Sequence, residues 1–125
     1  MAINCEIACY LLEGMMNNGL SFVGSYLERK IACPVVITDV IGKIHYPDMS
    51  DMAQKSELLF MNIPDQFTQE YYHSSANNCF YYNVQNEDNT IAYVIVENIT
   101  TDATAQAITA IQQSLLALKS YFSFI

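Results

Sequence analysis

Enzymatic chemistry needs a nucleophile, a base, a metal cluster or a phosphate cradle, and this chain of 125 residues is poor in all four. It has two histidines, His45 inside an expected strand and His73 in an expected loop. No signature pairs either one with a Ser or Cys nucleophile. Neither G-x-x-x-x-G-K-[ST] nor G-x-G-x-x-G occurs, so no phosphate-binding turn is expected. The four cysteines, Cys5, Cys9, Cys33 and Cys79, show no compact disulfide framework. Cys5 and Cys9 stand at i, i+4 and can share a helix face, but no third and fourth ligand clusters with them for a tetrahedral metal. Buried reduced thiols are the plainer reading. Asp39 is accounted for by a turn. The expectation is a non-enzyme with no catalytic residue, no metal and no cofactor.

The aromatic side chains point elsewhere. Nine Tyr and six Phe occur without a Trp. Tyr71-Tyr72-His73 and Phe80-Tyr81-Tyr82-Asn83 bracket one loop. Small-molecule pockets are mostly apolar with a few placed polar groups, and a buried Tyr hydroxyl needs a partner that a ligand can supply. Tyr46, Tyr71, Tyr72, Tyr81, Asn83 and Tyr93 are the candidate ligand-binding residues for a small metabolite of unknown identity. In the competing reading these rings cover a core edge with their hydroxyls in water. Both remain open.

These residues must be carried by a scaffold, and its elements are legible. Residues 3–17 read as a helix with an unusually broad apolar surface: Ile3, Ile7, Ala8, Leu11, Leu12, Met15 and Met16. Glu6, Glu13 and Asn17 form its polar stripe, with Tyr10 between them. Asn18-Gly19 stops it. A second helix is expected over 21–32, with Phe22, Val23, Tyr26, Leu27 and Ile31 inward and Glu28, Arg29 and Lys30 toward water.

Pro34 ends that helix, and β-branched Val35-Val36-Ile37-Thr38 opens a sheet. Asp39 and Gly42 suit a type I turn followed by a left-handed residue. Residues 47–51 read as a turn, 52–55 as a short helix or loop, 58–62 as a strand, 66–72 as one or two helical turns, and 74–78 as a loop. A strong hairpin signal spans 79–85 and 91–98, joined by Asn86-Glu87-Asp88-Asn89. Cys79, Tyr81, Asn83 and Gln85 share one face; Phe80, Tyr82 and Val84 share the other. Helices are expected on one side of the sheet and a pocket on the other.

Thr100-Thr101-Asp102 caps a last helix over about 102–122. Within it Ile108, Ile111, Leu115, Leu118, Phe122 and Ile125 follow a 3-4-3-4-3 spacing. That stripe fits equally packing on the sheet or packing against a second copy. The whole reads as one α+β domain, residues 1–125, with a sheet over about 34–98.

Composition restricts the partners. Five Lys and Arg stand against 13 Asp and Glu, a formal net charge of −8. Nucleic-acid and anionic lipid surfaces call for a basic footprint, so direct contact with nucleic acid or membrane is not expected. No apolar run is long enough to span a bilayer, and the first residues lack a basic signal-peptide region. A cytoplasmic location is expected.

The order of elements, and in particular residues 27–44 (LERKIACPVVITDVIGKI), 91–97 (IAYVIVE) and 117–122 (ALKSYF), resembles the N-terminal sensory domain of PucR/CdaR-like bacterial transcription regulators. The resemblance covers roughly residues 20–122 and rests on motifs shared by many sensors. It implies a PAS/GAF-like (profilin-like) five-stranded antiparallel sheet flanked by N- and C-terminal helices. It further implies ligand sensing and homodimerisation through the terminal helices, with DNA binding left to another domain. The same element order fits a ligand-free dimerisation module of profilin-like or roadblock type.

Overall fold

A computed structural model describes residues 5–47, 70–74 and 78–123. Helix α1 (Cys5–Asn18) is followed at once by α2 (Leu20–Ile31). The sheet comprises β1 (Val35–Asp39), β2 (Ile44–Tyr46), β3 (Tyr71–Ser74), β4 (Cys79–Asn86) and β5 (Asn89–Val96). A 3-10 turn (Thr101–Ala103) leads into α3 (Thr104–Gln113) and α4 (Leu115–Ser123). The described part is thus α+β, with four helices and a five-stranded antiparallel sheet in the order β2-β1-β5-β4-β3.

Local chemistry sets the element boundaries. Gly19, at φ 84°, turns the chain between α1 and α2, and its N–H bonds the Met15 carbonyl at 2.7 Å. Ala32 ends α2 in the left-handed region at φ 62°, with its N–H on the Glu28 carbonyl at 2.8 Å. The β1–β2 turn closes as its residues demand. Asp39 Oδ1 accepts the N–H groups of Ile41 (3.1 Å) and Lys43 (3.0 Å), and Gly42 takes φ 97°. The β4–β5 loop has only two residues, Glu87 and Asp88, at φ 51° and 69°, which makes it a type I′ turn whose twist matches the strands.

All four helices lie on one face of the sheet. Val35 and Ile37 of β1, Phe80, Tyr82 and Val84 of β4, and Ala92, Val94 and Val96 of β5 meet Leu11, Val23, Leu27, Ile111 and Leu118 there. Each fully buried side chain of this size stabilises the fold by about 1.5–3 kcal/mol. The broad apolar surface of α1 is explained by its two neighbours, α2 on one side and α4 on the other. The 3-4 stripe of the C-terminal segment also packs within the protomer. Ile111 and Leu118 are buried, and Ile108, Leu115 and Phe122 pack against the same core.

Three expectations change. The C-terminal helix is two helices, because Ser114 interrupts it. Its buried hydroxyl bonds back to the Ile111 carbonyl at 2.7 Å, competing with the helical ladder. Residues 71 and 72, expected in a helical turn, and His73 and Ser74, expected in a loop, belong to β3, which pairs with β4. Finally, Glu28 does not face water. Its Oε2 accepts the Val35 N–H at 3.1 Å and its Oε1 accepts the Tyr46 hydroxyl. It lies where α2 descends onto the start of β1, and the first N–H of that strand needs an acceptor. The expected turn at 48–51, helix or loop at 52–55 and strand at 58–62 lie outside the described residues, as does Ile125 of the stripe.

Candidate functional site

The sheet face away from the helices carries most of the candidate residues, in an order set by strand register. Thr38, Tyr93 and Asn83 are direct cross-strand neighbours on β1, β5 and β4. Val36, Ile95, Tyr81 and Tyr72 form a second row across β1, β5, β4 and β3. One row is polar and the other aromatic and aliphatic. With strands about 4.8 Å apart, the polar row presents a hydroxyl, a phenol and a carboxamide over roughly 10 Å.

These side chains are held firmly. Tyr81, Ile95, Val36 and Cys79 are buried, with Ile44, Tyr72 and Tyr93 packed against them. The Tyr72 and Tyr81 rings lie 6.2 Å apart at 33°. Thr38 and Asn83 are buried, Tyr93 half-buried. The Thr38 hydroxyl donates to the Asp39 carbonyl at 3.0 Å. Burial pushes the Tyr93 phenol above its ordinary value, so it is a neutral hydrogen-bonding group at physiological pH. The face combines aromatic rings with a few polar groups, all of them buried or half-buried.

The structure therefore brings Tyr72, Tyr81, Asn83 and Tyr93 together and places Tyr46 and Tyr71 on the opposite face. Tyr46 lies against α2, its ring over Gly24, where an added Cβ would fall 2.4 Å from the ring. Its phenol is raised by burial and then by the Glu28 carboxylate it donates to. Tyr71 is 42% exposed and stacks on Phe80 at 5.4 Å and 24°. The period-2 rule makes the division inevitable: Tyr71 and Tyr72 are adjacent in one strand and must point to opposite faces. For Tyr46 the register bulge between Ile37 and Thr38 decides the side.

Two polar constellations were not singled out in the sequence. In the first, His45 Nε2 lies 3.1 Å from Asp39 Oδ2 and its Nδ1 lies 3.1 Å from the Tyr121 hydroxyl. The rings of Tyr121 and Phe122 meet the imidazole edge-on at 5.6 and 5.2 Å. Burial raises the Asp39 carboxyl, but the bonds from His45, Lys43 and Ile41 outweigh it and leave the group below its ordinary value. A histidine oriented by a carboxylate is also the arrangement of a catalytic base. Here its other neighbour is a phenol rather than a Ser or Cys, and the set ties the β1–β2 hairpin to α4.

In the second, the Tyr82 hydroxyl donates to Glu70 Oε1 at 2.5 Å and Gln112 Nε2 donates to the same oxygen at 2.9 Å, joining β4 to the start of β3 and to α3. The Tyr82 bond and then the Gln112 bond hold the Glu70 carboxyl below its ordinary value, against burial. Two of these pairings, Glu70 with Gln112 and His45 with Tyr121, connect residues 42 and 76 positions apart, and no local motif announces them.

Of the cysteines, Cys9 is exposed, Cys33 half-buried and Cys79 buried. Among the described residues no group of three or more His, Cys, Asp and Glu is placed to hold a metal ion, and no helix is long and apolar enough to cross a membrane. Searches against protein-family models, curated proteins and solved structures found no match to this chain.

Proposed function

We propose that this chain is a PAS/GAF-like domain that senses a small metabolite and forms a homodimer, serving a bacterial transcription regulator whose DNA contacts are made elsewhere. The observation that carries the reading is the double row on the sheet face away from the helices: Thr38, Tyr93 and Asn83 beside Tyr81 and Tyr72. The strand order and the helices gathered on one face are compatible with such a sensor. A ligand on this face acts by favouring one packing of the terminal helices over another, and it can shift them only by its differential affinity for the two.

The test is a thermal-shift screen against metabolites. A specific ligand at 100 times its Kd adds about 2.7 kcal/mol to stability, and Tyr72→Ala and Tyr93→Ala should each reduce the shift while the domain stays folded. A complete screen without a hit, or hits indifferent to both substitutions, would overturn the sensing role.

The second reading, a ligand-free dimerisation module of profilin-like or roadblock type, is favoured by Met16 on α1 and Leu116 on α4, which are 74% and 47% exposed. It expects a dimer by sedimentation that Met16→Glu and Leu116→Glu weaken, with no metabolite dependence.

A further inference from the structure

A groove of about 290 Å3 between α1 and α2 is lined by Tyr10, Glu13, Gly14, Asn17 and Phe22. It lies within the helical layer, on the other side of the sheet from the Tyr81–Tyr93 face, so it is independent of the sensing proposal. Its residues include most of the polar stripe of α1: Tyr10, Glu13 and Asn17 recur at helical spacing and share one face. Phe22 comes from the first turn and a half of α2.

The groove depends on a glycine. A Cβ on residue 14 would fall 2.2 Å from the Phe22 ring, so only Gly14 lets that ring lie directly on the α1 backbone. Phe22 then meets Tyr10 at 5.2 Å and 62°. The result is two inclined aromatic rings with a carboxylate and a carboxamide at the rim and no Lys or Arg among the lining residues.

We propose that this groove binds a small quaternary ammonium ion. Aromatic faces carry negative quadrupole potential and attract a cation within about 6 Å of the ring. Glu13 adds a full negative charge, and the formal net charge of −8 raises the local concentration of any cation. A methylated ammonium suits the site better than a bare one, because its methyl groups fill apolar space and its charge is diffuse and weakly hydrated. The volume is at the small end for ligand pockets, which selects a headgroup-sized ion over a nucleotide or a peptide. The carboxylate, unopposed by a lining cation, disfavours anions.

The experiment titrates the full chain with choline and, separately, with its uncharged isostere 3,3-dimethylbutan-1-ol, following the backbone amides of Tyr10, Glu13, Gly14, Asn17 and Phe22 by NMR. Choline should shift these amides saturably and bind at least tenfold more tightly than the isostere. Tyr10 is 55% exposed and Glu13 is exposed, so Tyr10→Ala and Glu13→Gln should leave the rest of the amide spectrum in place. Each should weaken choline about two- to fivefold, and the Glu13 effect should shrink in high salt. Equal binding of the isostere, or no saturable shift with choline at tens of millimolar, would overturn the proposal. Shifts insensitive to both substitutions would do the same.

Discussion

Glu28 offers the sharpest test of the physical reasoning, because the sequence pattern sets it among water-facing residues and the fold makes it a joint. Its carboxylate accepts the Val35 N–H at 3.1 Å and the Tyr46 hydroxyl. It thereby fixes α2 to the first residue of β1 and to the last of β2. Hydrogen bonds to a charged group contribute about 1.5–3 kcal/mol each. The site is half-buried, so water can replace part of what is lost, and the lower end of the range applies. Glu28→Ala should cost about 2–3 kcal/mol. Tyr46→Phe removes one of the two bonds and should cost about 1 kcal/mol. In the double-mutant cycle the two changes should couple by about 1 kcal/mol, since Tyr46→Phe has little left to remove once the acceptor is gone.

Urea unfolding followed by circular dichroism at pH 7 reads all three, as a lower midpoint with an unchanged slope. Arg29→Ala, next along the helix and exposed, serves as the control and should stay within about 0.5 kcal/mol. If Glu28→Ala matches Arg29→Ala, the carboxylate is solvated and the joint does not exist. If both singles cost what is expected but add without coupling, the Tyr46–Glu28 bond is not the link.

Two further predictions follow from backbone geometry and charge. Ala32 occupies the left-handed region at φ 62° in an exposed position; relieving that conformation is worth roughly 1–2 kcal/mol, and glycine's greater unfolded-state freedom offsets roughly 0.5–1 kcal/mol. Ala32→Gly should therefore raise the stability read by urea titration by about 0.5–1 kcal/mol, and a loss would show that the Ala32 cap is not held as described. The Asp39 and Glu70 carboxyls both sit below their ordinary values of 3.8 and 4.5. A depressed folded-state value means stability that is fully present above the unfolded value and lost as pH falls through the folded one. Thermal unfolding should thus be insensitive to these two groups above about pH 5.5 and weaken progressively from about pH 4.5 downward. Asp39→Asn, though less stable at neutral pH, should show a shallower acid decline, and an unaltered one would refute its part in that loss.

Much of this domain was legible because its signals are local. Alternation assigned Phe80, Tyr82 and Val84 to one face of β4 and Tyr81 and Asn83 to the other. Asp39 and Gly42 located the first turn, and Gly19 separated the helices, since each answers a steric or hydrogen-bonding demand within a few residues. The same locality placed Tyr81 and Asn83 on one face together. What the sequence left undivided needed register and packing. The extra residue of β2 opposite Ile37 and Thr38 sends Tyr46 to the helical face, and pairing with β4 makes a strand of Tyr71 and Tyr72. Ser114 bends a helix whose apolar stripe is continuous on paper. Glu28, His45 and Glu70 acquire their full sets of partners only when separate elements meet, because a carboxylate on a helix face looks solvated until the strand that needs its oxygen is laid beside it. Periodicity and turn chemistry thus determined the kinds of element and the faces of the sheet. Tertiary contact alone decided which polar groups became joints and where the α1–α2 groove opened, since those depend on separations that no spacing along the chain encodes.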